Sequence, residues 1–371
     1  MNNQLEINSD ILKHYVESSN ISKELLKSKV ANIDKFLDGS KKPTFTQVSK
    51  IAKIINIPTG LLVLNKQLDA NQSKLNFRTL NSRNVDGMSP ELRDTIKEME
   101  VKQDFLKGEI EDKLSFIGKF SMKDNYLNVA EEIRETLEIP TNYYEISKYN
   151  PIKYFRNKIN SVGIFVFFNG KVKDNTHRSL DVEEFRGFVL SDEKAPIIFV
   201  NQKDSKSGQL FTLIHELVHL FIGINEIFNV IETESYHFDP TEAFVNKVTA
   251  EILVPERSFS KLDGLTLDEL QDIYPVSKFV LIRRQFDLKM ITKQEYLHVV
   301  KELTDVLDKR TRNTKPGGNY KNNLNFRMDH DFVNYVQNAI KQNKISYTEA
   351  FNIMGVGYKG YKILSGGNIN E

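Results

Sequence analysis

Leu210-Phe211-Thr212-Leu213-Ile214-His215-Glu216-Leu217-Val218-His219-Leu220-Phe221-Ile222 is the stretch on which the reading of this chain turns. His215 and His219 stand at i and i+4, so on a helix they lie one turn apart on the same face and both imidazoles reach a single ion. Glu216, one position on, reaches a water on that ion without being a ligand itself. Every other position from Leu213 to Ile222 is apolar. That pattern predicts a buried helix whose three polar side chains need partners, and a metal ion is the partner that suits all three. His-Glu-x-x-His alone arises by chance in on the order of one chain in a hundred of this length, so the apolar flanks carry much of the inference.

Composition narrows the chemistry further. The 371 residues contain 51 Lys plus Arg against 50 Asp plus Glu, seven His, no Cys and no Trp. Without Cys there is no disulfide framework, no Cys nucleophile and no thiolate-held metal, so an ion must be bound by His and carboxylates. The balanced charge leaves any attraction to nucleic acid to a local patch. Apolar runs stay well below the ~18–20 residues of a membrane span, and the start MNNQLEINSD has no basic and apolar leader. A cytoplasmic protein with no membrane contact is expected.

A catalytic zinc site takes three protein ligands and keeps one position open. No further His follows between Gly223 and Val230, so the candidates for the third ligand are His237, Glu232, Glu234, Asp239, Glu242 and Glu251. Asp239-Pro240-Thr241-Glu242 reads as a capped helix start with Pro at N1, on a helix running to about Leu253 before Pro255. Glu242 lies on its largely apolar face and is the preferred ligand.

Outward from this pair of helices, Gly163 to Phe168, Phe185 to Leu190 and Pro196 to Val200 read as short strands, and Pro151 to Ile159 as a helix. The strand Pro196 to Val200 is read as an ordinary sheet strand, with an edge for an extended peptide as the lesser alternative. Ser89-Pro90-Glu91 opens a long helix with apolar positions at Leu92, Ile96, Met99, Phe105 and Ile110, and Asn128 to Leu137 forms another. Downstream, Lys278 to Phe286 and Thr292 to Leu303 read as helices, residues from Lys309 to Asn319 as an exposed basic turn, and Phe332 to Lys341 and Thr348 to Met354 as the last two helices. At the other end, Asp10 to Ser18, Ser22 onwards and Thr46 to Ile55 form a small all-helical unit, with nine Lys from Ile21 to Lys66 against Glu24, Asp34 and Asp38.

Phe211 to His219, together with Glu242-Ala-Phe-Val245-Asn246-Lys-Val248-Thr249-Ala250-Glu-Ile252-Leu253-Val254-Pro255, resembles the ImmA/IrrE family of metallopeptidases. That family's second motif is similar to Glu-x-x-Ala-Asn-x-Phe-Ala-Ala-x-Leu-Leu-Met-Pro, which also puts its glutamate ligand on Glu242. Val245, Val248 and Thr249 depart from it, as packing changes that touch no ligand. Phe185 to Phe188 and Pro196 to Asn201 also look like the family's strands, and the likeness covers about 150 to 300. It implies Zn²⁺ on His215, His219 and Glu242, which would lower the pKa of a bound water towards ~7, with Glu216 as general base and then proton donor to the leaving amine. Tyr236 and His237 are the nearest candidates for an auxiliary oxyanion or proton donor.

Phe36-Leu37-Asp38-Gly39 with Pro43-Thr44-x-x-Gln47-x-x-x-Ile51-Ala52 and Ile57-Pro58 resembles the later half of an Xre/Cro-like helix-turn-helix. The resemblance implies a recognition helix ending at about Leu37 and makes Lys27, Ser28, Lys29, Asn32 and Lys35 candidate contacts to double-stranded DNA. Ile21 to Gly39 is short for that family, and a module for protein contact or homodimer formation is the competing account. The expected whole is an α+β protein: a helix-turn-helix module at 1–66, a linker and helical segment at 67–150, a zincin-like metallopeptidase domain with a small sheet at 151–305, and a basic turn with helices at 306–371. Its expected substrate is a regulatory protein, such as a repressor in phage, mobile-element or stress control. The alternative is a DNA-binding regulator whose metal site is structural or sensory.

Overall fold

The computed structural model describes residues 5, 7–17, 23–55, 62, 88–223, 227–228, 240–309 and 319–366. The chain folds as two compact units, one N-terminal and one from Met88 onward. The segment expected as a linker, Met88 excepted, and the basic turn from Arg310 to Gly318 lie outside the described residues.

In the N-terminal unit, α1 (Ser9–Glu17), α2 (Lys23–Lys29), α3 (Ile33–Leu37) and α4 (Phe45–Ile54) enclose a small core of Leu12, Val16, Leu26, Ile33, Phe36, Val48 and Ile51. Thr44 caps α4 by accepting from Gln47 N while the Gln47 side chain accepts from Thr44 N, a reciprocal capping box that sets the helix start. The chain passes from α2 to α3 through Asn32 in the left-handed conformation, φ 64. Helix α3 has only five residues, about 7.5 Å of axis.

The second unit is built on a sheet buried on both faces. After α5 (Pro90–Glu109), α6 (Tyr126–Thr136) and α7 (Pro151–Ser161) come β1 (Phe165–Asn169), β2 (Gly187–Leu190) and β3 (Ile197–Asn201). Then follow α8 (Lys206–Ile222), the two-residue β4 (Ile227–Phe228), α9 (Pro240–Leu253), α10 (Leu267–Ile273), α11 (Lys278–Asp287) and α12 (Lys293–Lys309). Helices α13 (Tyr320–Arg327), α14 (His330–Lys341), α15 (Tyr347–Met354) and α16 (Tyr358–Leu364) complete it. The strand order is β1-β3-β2-β4, with β1 parallel to β3 and β2 antiparallel to both β3 and β4.

Strand residues alternate between two cores. Val166, Phe168, Val189, Ile198 and Val200 meet α6, α7, α8 and α9, whereas Phe165, Phe167, Phe188, Leu190, Ile197 and Phe199 meet α5 and α13–α16. Covered on both sides, the strands read as continuous apolar runs rather than alternating ones. The architecture is therefore α+β in three layers, helix, sheet and helix.

Helix α5 and helices α13–α16 pack on one face of the sheet together with Val172, Leu180 and Phe185. Two expectations change here. Phe332 to Lys341 and Thr348 to Met354 are not the last two helices, since α16 follows them; α13 before them was also unread. And β3 offers no edge to a peptide, because β1 and β2 pair with it on either side. Two buried side chains bolt the C-terminal layer down. Arg156 donates to Phe326 O, Val166 O and Met328 O, and the Asp329 carboxylate accepts from Val166 N and Asn160 Nδ2 on one oxygen while capping α14 through Phe332 N with the other.

Candidate metal centre

Helix α8 is fixed at both ends. Ser205 caps it through Gly208 N, the buried Gln209 amide donates to Gln202 O and Asp204 O, and Gly223 at φ 75 ends it in the left-handed conformation that glycine adopts without cost. From Thr212 to Ile222 every side chain is buried. The helix lies so close to β2 that a Cβ on Gly187 would stand 2.5 Å from Thr212 Cγ2, 2.8 Å from Phe199 O and 3.4 Å from Glu216 Cγ. The missing side chain at 187 is what allows the strand to lie against the Glu216 stem.

Helix α9 carries the second part of the site, and its C-terminal carbonyls, which have no partners within the helix, are taken up by side chains from elsewhere. Arg134 of α6 donates to Glu251 O and Ile252 O, the Tyr143 hydroxyl to Leu253 O, and Arg284 of α11 to Val254 O. Arg284 also pairs with the Glu251 carboxylate, which accepts from Glu256 N as well. That pairing occupies Glu251 away from the histidines and removes it as a ligand candidate.

The two helices bring His215, His219 and Glu242 together, as the sequence predicts. His215 Nε2 lies 3.1 Å from His219 Nε2, while the two Glu242 oxygens lie 3.2 Å from His215 Nε2 and 3.3 Å from His219 Nε2. Donor atoms around a tetrahedral ion with bonds of about 2.0–2.1 Å stand about 3.3 Å apart. The triangle thus has the edge length of one face of such a coordination sphere, and its set of two imidazoles and one carboxylate suits zinc. The histidine side chains are 0% and 1% exposed and Glu242 28%.

The electrostatics favour ligation. Burial pushes His215 down from the ordinary imidazole value, against the opposing pull of Glu242, so the ring stays neutral with a lone pair to give. Burial alone would push the Glu242 carboxyl up, but the imidazole edges of His215 and His219 against its two oxygens outweigh it and hold the group well below the usual carboxylate range. Asn246, one turn after Glu242, places Oδ1 3.2 Å from His215 Nδ1. Accepting the Nδ1 proton, it fixes the tautomer whose Nε2 faces the cluster. This orienting role was unread in the sequence, although the spacing of four from Glu242 on one helix face was its signal.

Glu216 is fully buried on α8, on the sheet side near Gly187. The other candidates divide. His237, Glu232, Glu234, Asp239 and Tyr236 lie outside the described residues. In the N-terminal unit Lys27, Ser28, Lys29, Asn32 and Lys35 are all exposed, the first three on α2, Asn32 in the turn and Lys35 on α3.

Residues 159–286 match the family model described as the IrrE N-terminal-like domain, a span that holds both motif helices and all three strands from β1 to β3. No curated protein and no solved structure gives a significant match to the chain. Among the described residues no helix is long and apolar enough to cross a membrane.

Proposed function

Residues 159–286 belong to the ImmA/IrrE family of peptidase domains, and from that premise we propose that the protein is a zinc-dependent endopeptidase that cleaves a regulatory protein of repressor type. The observation that carries the reading is the triangle of His215, His219 and Glu242, 3.1–3.3 Å on each side, with Glu216 beside it on the same helix. Zinc held there would supply Lewis acidity and, with it, a nucleophilic water near neutral pH. Glu216 takes the proton of the attacking water and hands it to the leaving amine. His215, His219 and Glu242 hold the ion, and Asn246 keeps the His215 proton on Nδ1. Cleavage of a repressor places the protein in the cytoplasm.

Co-expression of wild type and Glu216→Gln with the products of neighbouring genes tests this directly. A fragment found only with wild type, with about one zinc per chain in both proteins, is the expected result. Equal cleavage by the two would remove Glu216 as the base.

The exposure of Lys27, Ser28, Lys29, Asn32 and Lys35 along one helical hairpin favours a second role for the N-terminal unit, in binding duplex DNA through phosphate contacts. Titrating the full chain against duplex DNA at several salt concentrations checks it. Binding that weakens with salt in wild type and is lost when the three lysines become Gln is expected, and binding indifferent to salt leaves the unit to protein contact.

A further inference from the structure

The last two helices of the second unit carry an aromatic surface that their own packing does not call for. Helix α15 ends at Gly355, which takes the left-handed conformation at φ 70, and the turn from Gly355 to Gly357 leads into α16. Ala350, Met354, Val356 and Ile363 are buried and seal both helices to the core beneath. Outside that seal a run of rings continues from one helix to the other. Phe351 of α15 meets Tyr361 and Tyr358 of α16 at centroid distances of 5.4 and 6.4 Å, and Tyr361 meets Tyr347 at 5.8 Å. Tyr347 is 58% exposed and Tyr358 67%. Rings left in water as a contiguous group mark a binding surface, where single exposed ones do not.

Lysines border these rings. On α16, Tyr358 and Tyr361 stand at i and i+3, as do Lys359 and Lys362, so a row of rings and a row of ammonium groups run side by side in steps of about 5–6 Å. Lys359 Nζ also lies 6.0 Å from the ring centroid of Tyr320. From Lys341 to Gly366 the chain holds four lysines and one acid, Glu349. Lys344 pairs with Glu109, so four lysines against Glu349 and Glu109 leave two positive charges in excess. The Glu349 carboxylate is committed to capping α15, where it accepts from Ser346 N and Oγ. Asp174, bonded to the Tyr320 hydroxyl, is matched by Lys171 and Arg327.

We propose that this face binds a single strand of nucleic acid, with bases stacked on Tyr347 and Tyr358 and phosphates against Lys359 and Lys362. Each nucleotide brings one flat base and one negative charge, the same couple of ring and ammonium that α16 repeats. A duplex encloses the flat faces of its bases, and an acidic peptide brings charge without them, so either would leave the rings unused. Ring faces and ammonium groups do not read the sugar, so DNA and RNA strands bind alike. The surface is independent of the peptidase reading, since it shares no residue with the metal centre.

The test uses the full chain and fluorescent strands of oligo(dT) and oligo(U), about 12 nucleotides long, followed by anisotropy over a series of salt concentrations. Both strands should bind, and more weakly as salt rises. Tyr347→Ala with Tyr358→Ala should weaken binding roughly 10–100-fold. Its unfolding temperature should stay in place, because both side chains lie more than half in water. Lys359→Gln with Lys362→Gln should lower the salt slope by about 1.4, or 0.7 for each phosphate contact, and decides the matter if the tyrosine variant fails to fold. Replacing Lys27, Lys29 and Lys35 by Gln should leave strand affinity as it was, which separates this face from the N-terminal unit. A chain that binds neither strand at low salt overturns the proposal. So does an affinity that the tyrosine and lysine pairs both leave unchanged, or a strand displaced by polyglutamate as readily as by its unlabelled copy.

Discussion

Asn246 shows how a single amide sets the quality of a metal site. With Oδ1 on His215 Nδ1, it selects one of two tautomers that are otherwise close in energy and so preorganises Nε2 for the ion. Asn246→Ala is therefore expected to weaken zinc binding by about 10–100-fold, measured by competition with a chromogenic chelator, while the fold is unchanged by circular dichroism. Asn246→Asp, which still accepts that proton, should restore most of the affinity. Glu242→Ala goes further, because two imidazoles alone hold zinc poorly; stoichiometric zinc in that variant would mean that the third ligand lies elsewhere. That His215 and His219 meet was legible because i and i+4 share one face of a helix, and Glu242 was legible from its place near the start of the next motif helix. Asn246 was not, because an amide on a half-apolar helix face looks the same whether it orients a ligand or meets solvent.

At the level of elements, the close approach of β2 to α8 rests on Gly187. Gly187→Ala places a methyl group 2.5 Å from Thr212 Cγ2 and 2.8 Å from Phe199 O, the latter a backbone atom with no freedom to yield. We expect a loss of about 1–3 kcal/mol in stability by chemical denaturation, the range of overpacked cores, and a lower cleavage rate with zinc content unchanged, since the shift falls on the Glu216 side of the helix. A variant with full activity would show that strand and helix separate without consequence. Most elements were readable from period and caps, within a residue or two, as with the Pro90 and Pro151 helix starts. Helix α10 opens on a Thr266-to-Glu269 capping box that marks it, yet its apolar content is only Leu267, Leu270 and Ile273. Helices α13 and α16 stayed hidden for a compositional reason: α13 is rich in Asn and α16 has Gly360 in its middle, both poor helix formers held in place by packing. The side chains that seal the end of α9 come from Arg134 and Tyr143, more than a hundred residues upstream, a distance at which no local pattern reports a contact.

For the molecule as a whole, the informative feature is that one sheet is finished from two ends of the chain. Helix α5 precedes it and α13–α16 follow it, and together they cover Phe165, Phe167, Phe188, Leu190, Ile197 and Phe199. The length and charge counts could not show this. Deleting residues 319–371 should strip these six side chains of all cover from α13–α16, leaving α5 as the one helix on that face among the described residues. The expected product binds a hydrophobic dye, unfolds without a sharp transition and loses zinc, since β1 and α7, to which Arg156 and Asp329 anchor the last helices, support α8 from behind. A truncated protein that melts cooperatively with its zinc in place would mean that the metal-binding half stands without that layer.

The same construction orders events in time. As the chain emerges from the ribosome, the strands and both ligand helices are complete long before residue 319 appears, so one face of the sheet is covered by α5 without α13–α16 while synthesis continues. A nascent chain at that stage carries His215, His219 and Glu242 on a scaffold that has not yet set. Helices α13–α16 thus complete the cover only after both ligand helices exist, and a chain interrupted before them exposes phenylalanines that favour aggregation.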